Sequence, residues 1–167
     1  MPLDQCRECA NVVGGEARRC LHCGAPYPAR PVWKGWGYEW KTQTSLAGWP
    51  LVHIAIGRDA RGRLRVARGI VAIGRFGIGL VTIAQFGIGA LFGLGQVTVG
   101  LTGIGQVAAC VYFAVGQLAA AGIAIGQLVI GRYGLGQAGY AQYLWSVEVK
   151  DPAAVEFFTN LAGFLGF

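Results

Sequence analysis

Between Asp59 and Glu148 the chain has no acidic residue, and from Gly69 to Ser146 its only formal charges are Arg75 and Arg132. Soluble domains carry roughly a quarter of their residues as charges; this chain carries 13% and is 54% hydrophobic. A charge-poor span of that length lacks the polar surface that water requires. Its exterior is therefore expected against lipid or against copies of itself. The same span has no carboxylate, no histidine and no nucleophile beside a base, so an enzyme is not expected and no small-molecule substrate is identified.

The charge that is present is concentrated at one end. Eleven of the 14 Lys and Arg residues lie before position 70, so the net charge of +6 belongs to the N-terminal third. A basic flank beside an apolar stretch suits anionic membrane headgroups, with nucleic acid as the competing partner. Met1 to Cys23 is polar and cysteine-bearing where a secretory leader would need an apolar run. Together with free-thiol metal ligands, this leads us to expect a reducing, cytoplasmic setting for the N-terminal segment.

Cys6-Arg-Glu-Cys9 and Cys20-Leu-His-Cys23 are two CxxC pairs separated by ten residues. Each pair places two thiolates on one knuckle, and two knuckles close a tetrahedral sulfur shell around zinc with no open position for chemistry. Gly24 follows the second pair, where a positive φ brings amides towards the sulfurs. A redox dithiol pair and a rubredoxin-like iron site are the alternatives to structural zinc. His22 reads as a spacer. So small a ribbon has almost no apolar core, and metal binding and folding are expected to be one event.

Gly24 to Pro31 reads as an extended linker. Trp36, Tyr38 and Trp40 then alternate, so a strand would present all three on one face. Trp33 and Trp49 flank them, and Tyr140, Tyr143 and Trp145 follow the repeat; such rings suit a membrane–water interface, base stacking, or a hydrophobic cap over the repeat. Leu51 to Ile56, a turn at Asp59 to Gly62, and Arg63 to Arg68 read as a hairpin. Its cationic face would be Arg58, Arg61, Arg63, Arg65 and Arg68, available to lipid phosphates or simply solvated. His53 reads as a packed strand residue.

From Ala72 the chain divides into fives, such as AIGRF, GIGLV, TIAQF and GIGQV: a small residue, an aliphatic, Gly or Ala, and two variable positions. Phe92 and Phe113 are sixth residues in two units. Five residues advance an α-helix by about 500°, so no helical face would persist, and each glycine costs a helix about 1 kcal/mol. The expected fold is mostly β: a zinc ribbon, an apolar glycine-rich β-solenoid, and a short C-terminal helix. The alternative is a ribbon with about three transmembrane α-helices. Arg75, Gln85, Gln96, Gln106, Gln117, Gln127 and Gln137 recur every ten or eleven residues, making a polar ladder along one edge. At ten residues per turn, seven turns stack to roughly 34 Å; at twenty-one, about 17 Å. Gly134 to Gly139 spells GxGxxG but is part of the repeat, and Cys110 fills a small position.

Asp151 and Pro152 open a C-terminal helix with Val155, Phe158, Leu161 and Leu165 on one face; it would cap the last coil or lie on the membrane. The expected segments are a ribbon at 1–28, a linker and aromatic-basic segment at 29–50, a hairpin and repeat at 51–145, and the helix at 146–167. Gly48-Trp-Pro-Leu-Val-His-Ile-Ala-Ile-Gly57 and Ala67-Arg-Gly-Ile-Val-Ala-Ile-Gly74 resemble uncharacterised bacterial proteins with a PLVHI-type strand followed by IG-rich pentads. The resemblance covers about residues 38–145 and implies a repeat architecture and a bacterial source, with no activity attached. Pentapeptide-repeat proteins are a looser likeness, since their outward positions are polar. The reading that follows is a non-enzymatic scaffold of the bacterial inner membrane, its partners lipids and copies of itself, as an oligomer or a pore, with the ribbon on the cytoplasmic side. A self-polymerising filament and a nucleic-acid or protein adaptor are the alternatives.

Overall fold

The computed structural model describes residues 3–166, apart from the Leu165 side chain. The chain is mostly β with one C-terminal helix and forms two compact units, Met1–Glu39 with Ile56–Arg65, and Trp40–Ala55 with Val66–Phe167.

In the first unit β1 (Leu3–Gln5) pairs antiparallel with β2 (Val12–Gly14) across the first cysteine pair. Its apolar core is little more than Cys6, Cys20 and Ala25. The proline-bearing segment expected as an extended linker is folded against the ribbon instead. Arg7 Nη1 donates to the carbonyls of Pro26 at 2.8 Å and Tyr27 at 2.9 Å, the Tyr27 amide donates to Arg18 O, and Pro28 is fully buried. A guanidinium that finds two carbonyls in its fork outweighs the local preference for an open chain. β3 (Trp36–Lys41) is followed in the chain by the short antiparallel pair β4 (Ser45–Leu46) and β5 (Trp49–Pro50) and then by β6 (Val52–Arg58), and Gly37 of β3 lies back to back with Gly57 of β6. A Cβ on either would stand 2.0 or 2.1 Å from a carbonyl oxygen of the other strand.

The expected hairpin is only a tip. Asp59 accepts from the Arg61 and Arg63 amides and turns the chain, and Arg58 bridges Leu64 antiparallel. In the second unit, however, β6 pairs in parallel with β7 (Val66–Trp145), Val52 opposite Val71 through Ala55 opposite Gly74. The chain therefore comes round in the same direction instead of folding back. His53 is buried, and its Nδ1 takes the Arg68 amide at 2.8 Å.

β7 is 80 residues of unbroken extended chain. No proline interrupts it, and none of its glycines has positive φ. Its glycines answer to proximity. A Cβ at Gly95 would stand 1.6 Å from Ala84 O, at Gly100 1.8 Å from Gly89 O, and at Gly126 1.8 Å from Gly116 O. Those partners lie ten or eleven residues back. Eleven occurs where Phe92 or Phe113 intervenes, as from Ala84 to Gly95 and from Gly105 to Gly116; ten occurs elsewhere, as from Gly95 to Gly105. Phe76 stacks on Phe86 and Tyr133 on Tyr143 at the same interval. The backbone thus returns beside itself every ten residues, and each extra phenylalanine is absorbed within a single return. The 21-residue separation of the two phenylalanines is two returns, not one.

The inward column follows the small position of the template. Ala67, Ala72, Thr82, Thr98, Ala108, Ala114, Ala119, Ala124 and Val129 are all but inaccessible, with buried glycines at 77, 87, 93, 103 and 134 between them. Larger members sit against glycine: a Cβ on Gly87 would stand 2.7 Å from Thr82 Oγ1, and one on Gly139 2.5 Å from a Val129 methyl. The interior is one small side chain thick.

Asp151 caps α1 (Pro152–Leu165), accepting from the Ala153 and Ala154 amides. Phe158 is buried and Val155 and Leu161 are half-buried, as expected of the inward face, which the buried Ala154 joins; Leu165 lies outside the described side chains. Phe157 stacks on Tyr133 at 4.3 Å, and Asp151 N donates to Leu144 O, which docks the helix on the end of β7. No helix among the described residues is long and apolar enough to cross a membrane, and the segment that the three-helix alternative needed is strand.

Substitution of Gly95 by Ala should therefore lower stability by about 3 kcal/mol or more, since backbone must move to admit the methyl. Gly163, in α1 with open space around its missing Cβ, is the control: Gly163→Ala should stabilise by up to about 1 kcal/mol. Denaturant melts of both variants check the pair.

Candidate metal centre

Four sulfurs are gathered by two turns of the same kind. Ala10 N donates to Cys6 O and Gly24 N to Cys20 O, and the residue after each pair is left-handed, Ala10 at φ 57° and Gly24 at φ 77°. Gly24 was legible as such a turn; Ala10 carries no compositional sign of it. The four Sγ atoms lie within 4.8 Å of one another, with Cys6 to Cys23 at 3.6 Å and Cys9 to Cys20 at 3.7 Å. A tetrahedron with Zn–S bonds of ~2.3 Å has edges of about 3.8 Å. All four cysteines are free thiols, and the cluster can hold a metal ion such as zinc.

Electrostatics favour the same conclusion. Hydrogen bonds from the Asn11 backbone amide and from its side chain, at 3.5 Å from the sulfur, hold the Cys9 thiol down to about 6. The amides of Cys23 and His22 lower Cys20. Cys23 feels the Ala25 amide pulling it down, but burial and the three neighbouring sulfurs prevail and push it up to about 12. Four thiolates cannot share this volume unaided, and a divalent cation is what permits it. Asn11 was not legible as part of the site, because a lone asparagine after a knuckle is unremarked in composition.

The other residues singled out from sequence are placed as follows. The ladder residues Arg75, Gln85, Gln96, Gln106, Gln117, Gln127 and Gln137 are all exposed, and Arg75 Nε donates to Gln85 Oε1 at 3.3 Å. Trp36, Tyr38, Trp40, Trp49 and Tyr140 are exposed, whereas Trp33 packs on Tyr27 and Tyr143 on Tyr133; Trp145 is half-buried. The arginines are not one face: Arg65 pairs with Glu39, Arg58 donates to Gly62 O, and Arg63 and Arg68 are exposed. Arg58 and Arg61 instead line a cavity with Arg18 and Arg19, a grouping the sequence did not announce because forty residues separate the two pairs.

At pH 7 zinc uptake should release protons, because Cys23 must surrender its own, yet fewer than four, because Cys9 is already ionised; calorimetry in buffers of different ionisation enthalpy counts them. In the metal-free protein, Asn11→Ala should raise the Cys9 pKa and slow its alkylation by iodoacetamide at neutral pH. No family model, no curated protein and no solved structure matches this chain.

Proposed function

We propose that the chain is a non-enzymatic scaffold whose β7 run is a two-sided β-solenoid seated in a lipid bilayer, and whose N-terminal segment is a structural zinc ribbon. One observation carries this reading: the side chains are distributed inside out. Small residues fill the interior, while Ile88, Leu91 and Val111 are 56%, 52% and 61% exposed, among many more large aliphatics and aromatics on the outer surface. In water such a surface costs roughly 25 cal/mol per Å². Against acyl chains it costs nothing.

The backbone is compatible with lipid as well. A wound strand bonds rung to rung, so unpaired groups arise only at its ends. Here β6 lies on the first rung and α1 on the last. The charge-free stretch between Arg75 and Arg132 makes five to six rungs, a height of about 26 Å, against ~25 Å for the apolar band of membrane β-proteins. The glutamine ladder marks one side of every other pentad, and its burial against a second copy, or around an aqueous path, would spare it contact with acyl chains. The helix over the final rung counts against end-to-end polymerisation. The bacterial inner membrane, with the ribbon on its cytoplasmic side, fits the thiol donor set.

The protein should sediment with membranes, resist extraction by salt and high pH, and dissolve only in detergent. Val111→Arg, in mid-stack, should cost about 2–4 kcal/mol of insertion and shift protein out of the membrane fraction. A monodisperse monomer in detergent-free buffer would sink the reading.

A further inference from the structure

The first unit holds a recessed cavity of about 360 Å³, a size typical of small-molecule sites. Arg18 and Arg19 of the ribbon meet Arg58 and Arg61 of the turn around it, with Trp33 and Trp36 on its wall. Among the described residues, no carboxylate lines it. The nearest in sequence, Asp59, is engaged by the amides of Arg61 and Arg63 at 2.9 and 2.8 Å. Four guanidinium groups at one cavity repel one another, and the described residues supply no anion to Arg18 or Arg61.

Two of the four are already fixed. Arg19 Nε donates to Gly24 O at 3.2 Å and Arg58 Nη1 to Gly62 O at 2.7 Å, leaving the remaining N–H groups of each fork unused. A further donor is stranded: Trp33 Nε1 is buried with no acceptor, and a buried N–H without a partner is uncommon enough to require one. Tyr27, also on the wall, is held at φ 45°, a left-handed conformation that a tyrosine rarely adopts, and its ring packs on Trp33. The cavity therefore offers donors and flat aromatic surface, with positive charge unbalanced.

We propose that this cavity binds a mononucleotide: a phosphate group held by Arg18, Arg19, Arg58 and Arg61, and a heteroaromatic ring against Trp36 and Trp33. The phosphate part follows from the planar fork of arginine, which matches paired oxygens. The ring part follows from the tryptophans, for which a lipid headgroup of glycerol and ethanolamine has no stacking counterpart. The small volume favours a single nucleotide over a strand, which needs a longer groove. The site is independent of whether β7 enters a membrane.

The test is calorimetric titration of the full-length, zinc-loaded protein in detergent with ADP, inorganic pyrophosphate and a twelve-residue oligothymidylate. ADP should bind saturably and at least tenfold more tightly than pyrophosphate. Arg18→Gln with Arg61→Gln should weaken ADP at least tenfold while the zinc content stays at one per chain, and Trp36→Ala should weaken ADP but not pyrophosphate. Loss of zinc in the double variant would pass the decision to Trp36→Ala alone. Absence of saturable ADP binding, pyrophosphate binding as tight as ADP, or oligonucleotide binding that ADP cannot displace would each overturn the proposal.

Discussion

Backbone passing backbone at a distance that leaves no room for a β-carbon is the constraint on which β7 depends. At Gly95, Gly100, Gly126 and Gly131 the missing methyl would fall within 1.8 Å of a carbonyl one return earlier. Beside such close returns the buried positions hold only Ala, Gly, Thr and a single Val, with Cys110 and Leu144 packed partly buried against them, while many larger side chains are exposed. The greasy exterior is therefore a geometric consequence of the winding.

A thin interior also limits how the unit is stabilised. Burying an alanine methyl removes little apolar area, so hydrophobic burial in the column contributes far less than in a core of leucines. Ring pairs such as Phe76 with Phe86 add to the cohesion of the unit. Thr82 and Thr98 press the same point, since their buried hydroxyls have no hydrogen-bond partner. Their methyl groups fill space left by neighbouring glycines, and the hydroxyls are carried along.

The first unit solves the problem of small size differently. The three residues of its buried cluster, Cys6, Cys20 and Ala25, are too few to hold a chain in place, so the four-cysteine centre, the Arg7 fork and the Tyr27–Trp33–Arg30 cluster carry its order. Arg30 lies 5.0 Å from the Tyr27 ring and 5.7 Å from that of Trp33, a cation–π arrangement worth about 0.5–1 kcal/mol at an exposed site. Cations recur throughout this unit. A bound anion would offset their mutual repulsion.

Local patterns in the sequence were enough for the strand-forming character of the repeat, the cap at Asp151 and the four-sulfur cluster, because each depends on residues a few places apart. A period of five excludes a persistent helical face by arithmetic, and two CxxC pairs bring their own geometry. The length of one return was not legible: ten and twenty-one fit the same spacing of Phe92 and Phe113, and only the approach of Gly95 to Ala84 and of Gly105 to Gly95 separates them. Nor was the parallel pairing of Val52–Ala55 with Val71–Gly74, or the folding of the Gly24–Pro31 segment under Arg7. The meeting of Arg18 and Arg19 with Arg58 and Arg61 was equally hidden. These depend on groups distant in sequence competing for the same space and the same acceptors, and that competition is decided only when the whole chain is in place.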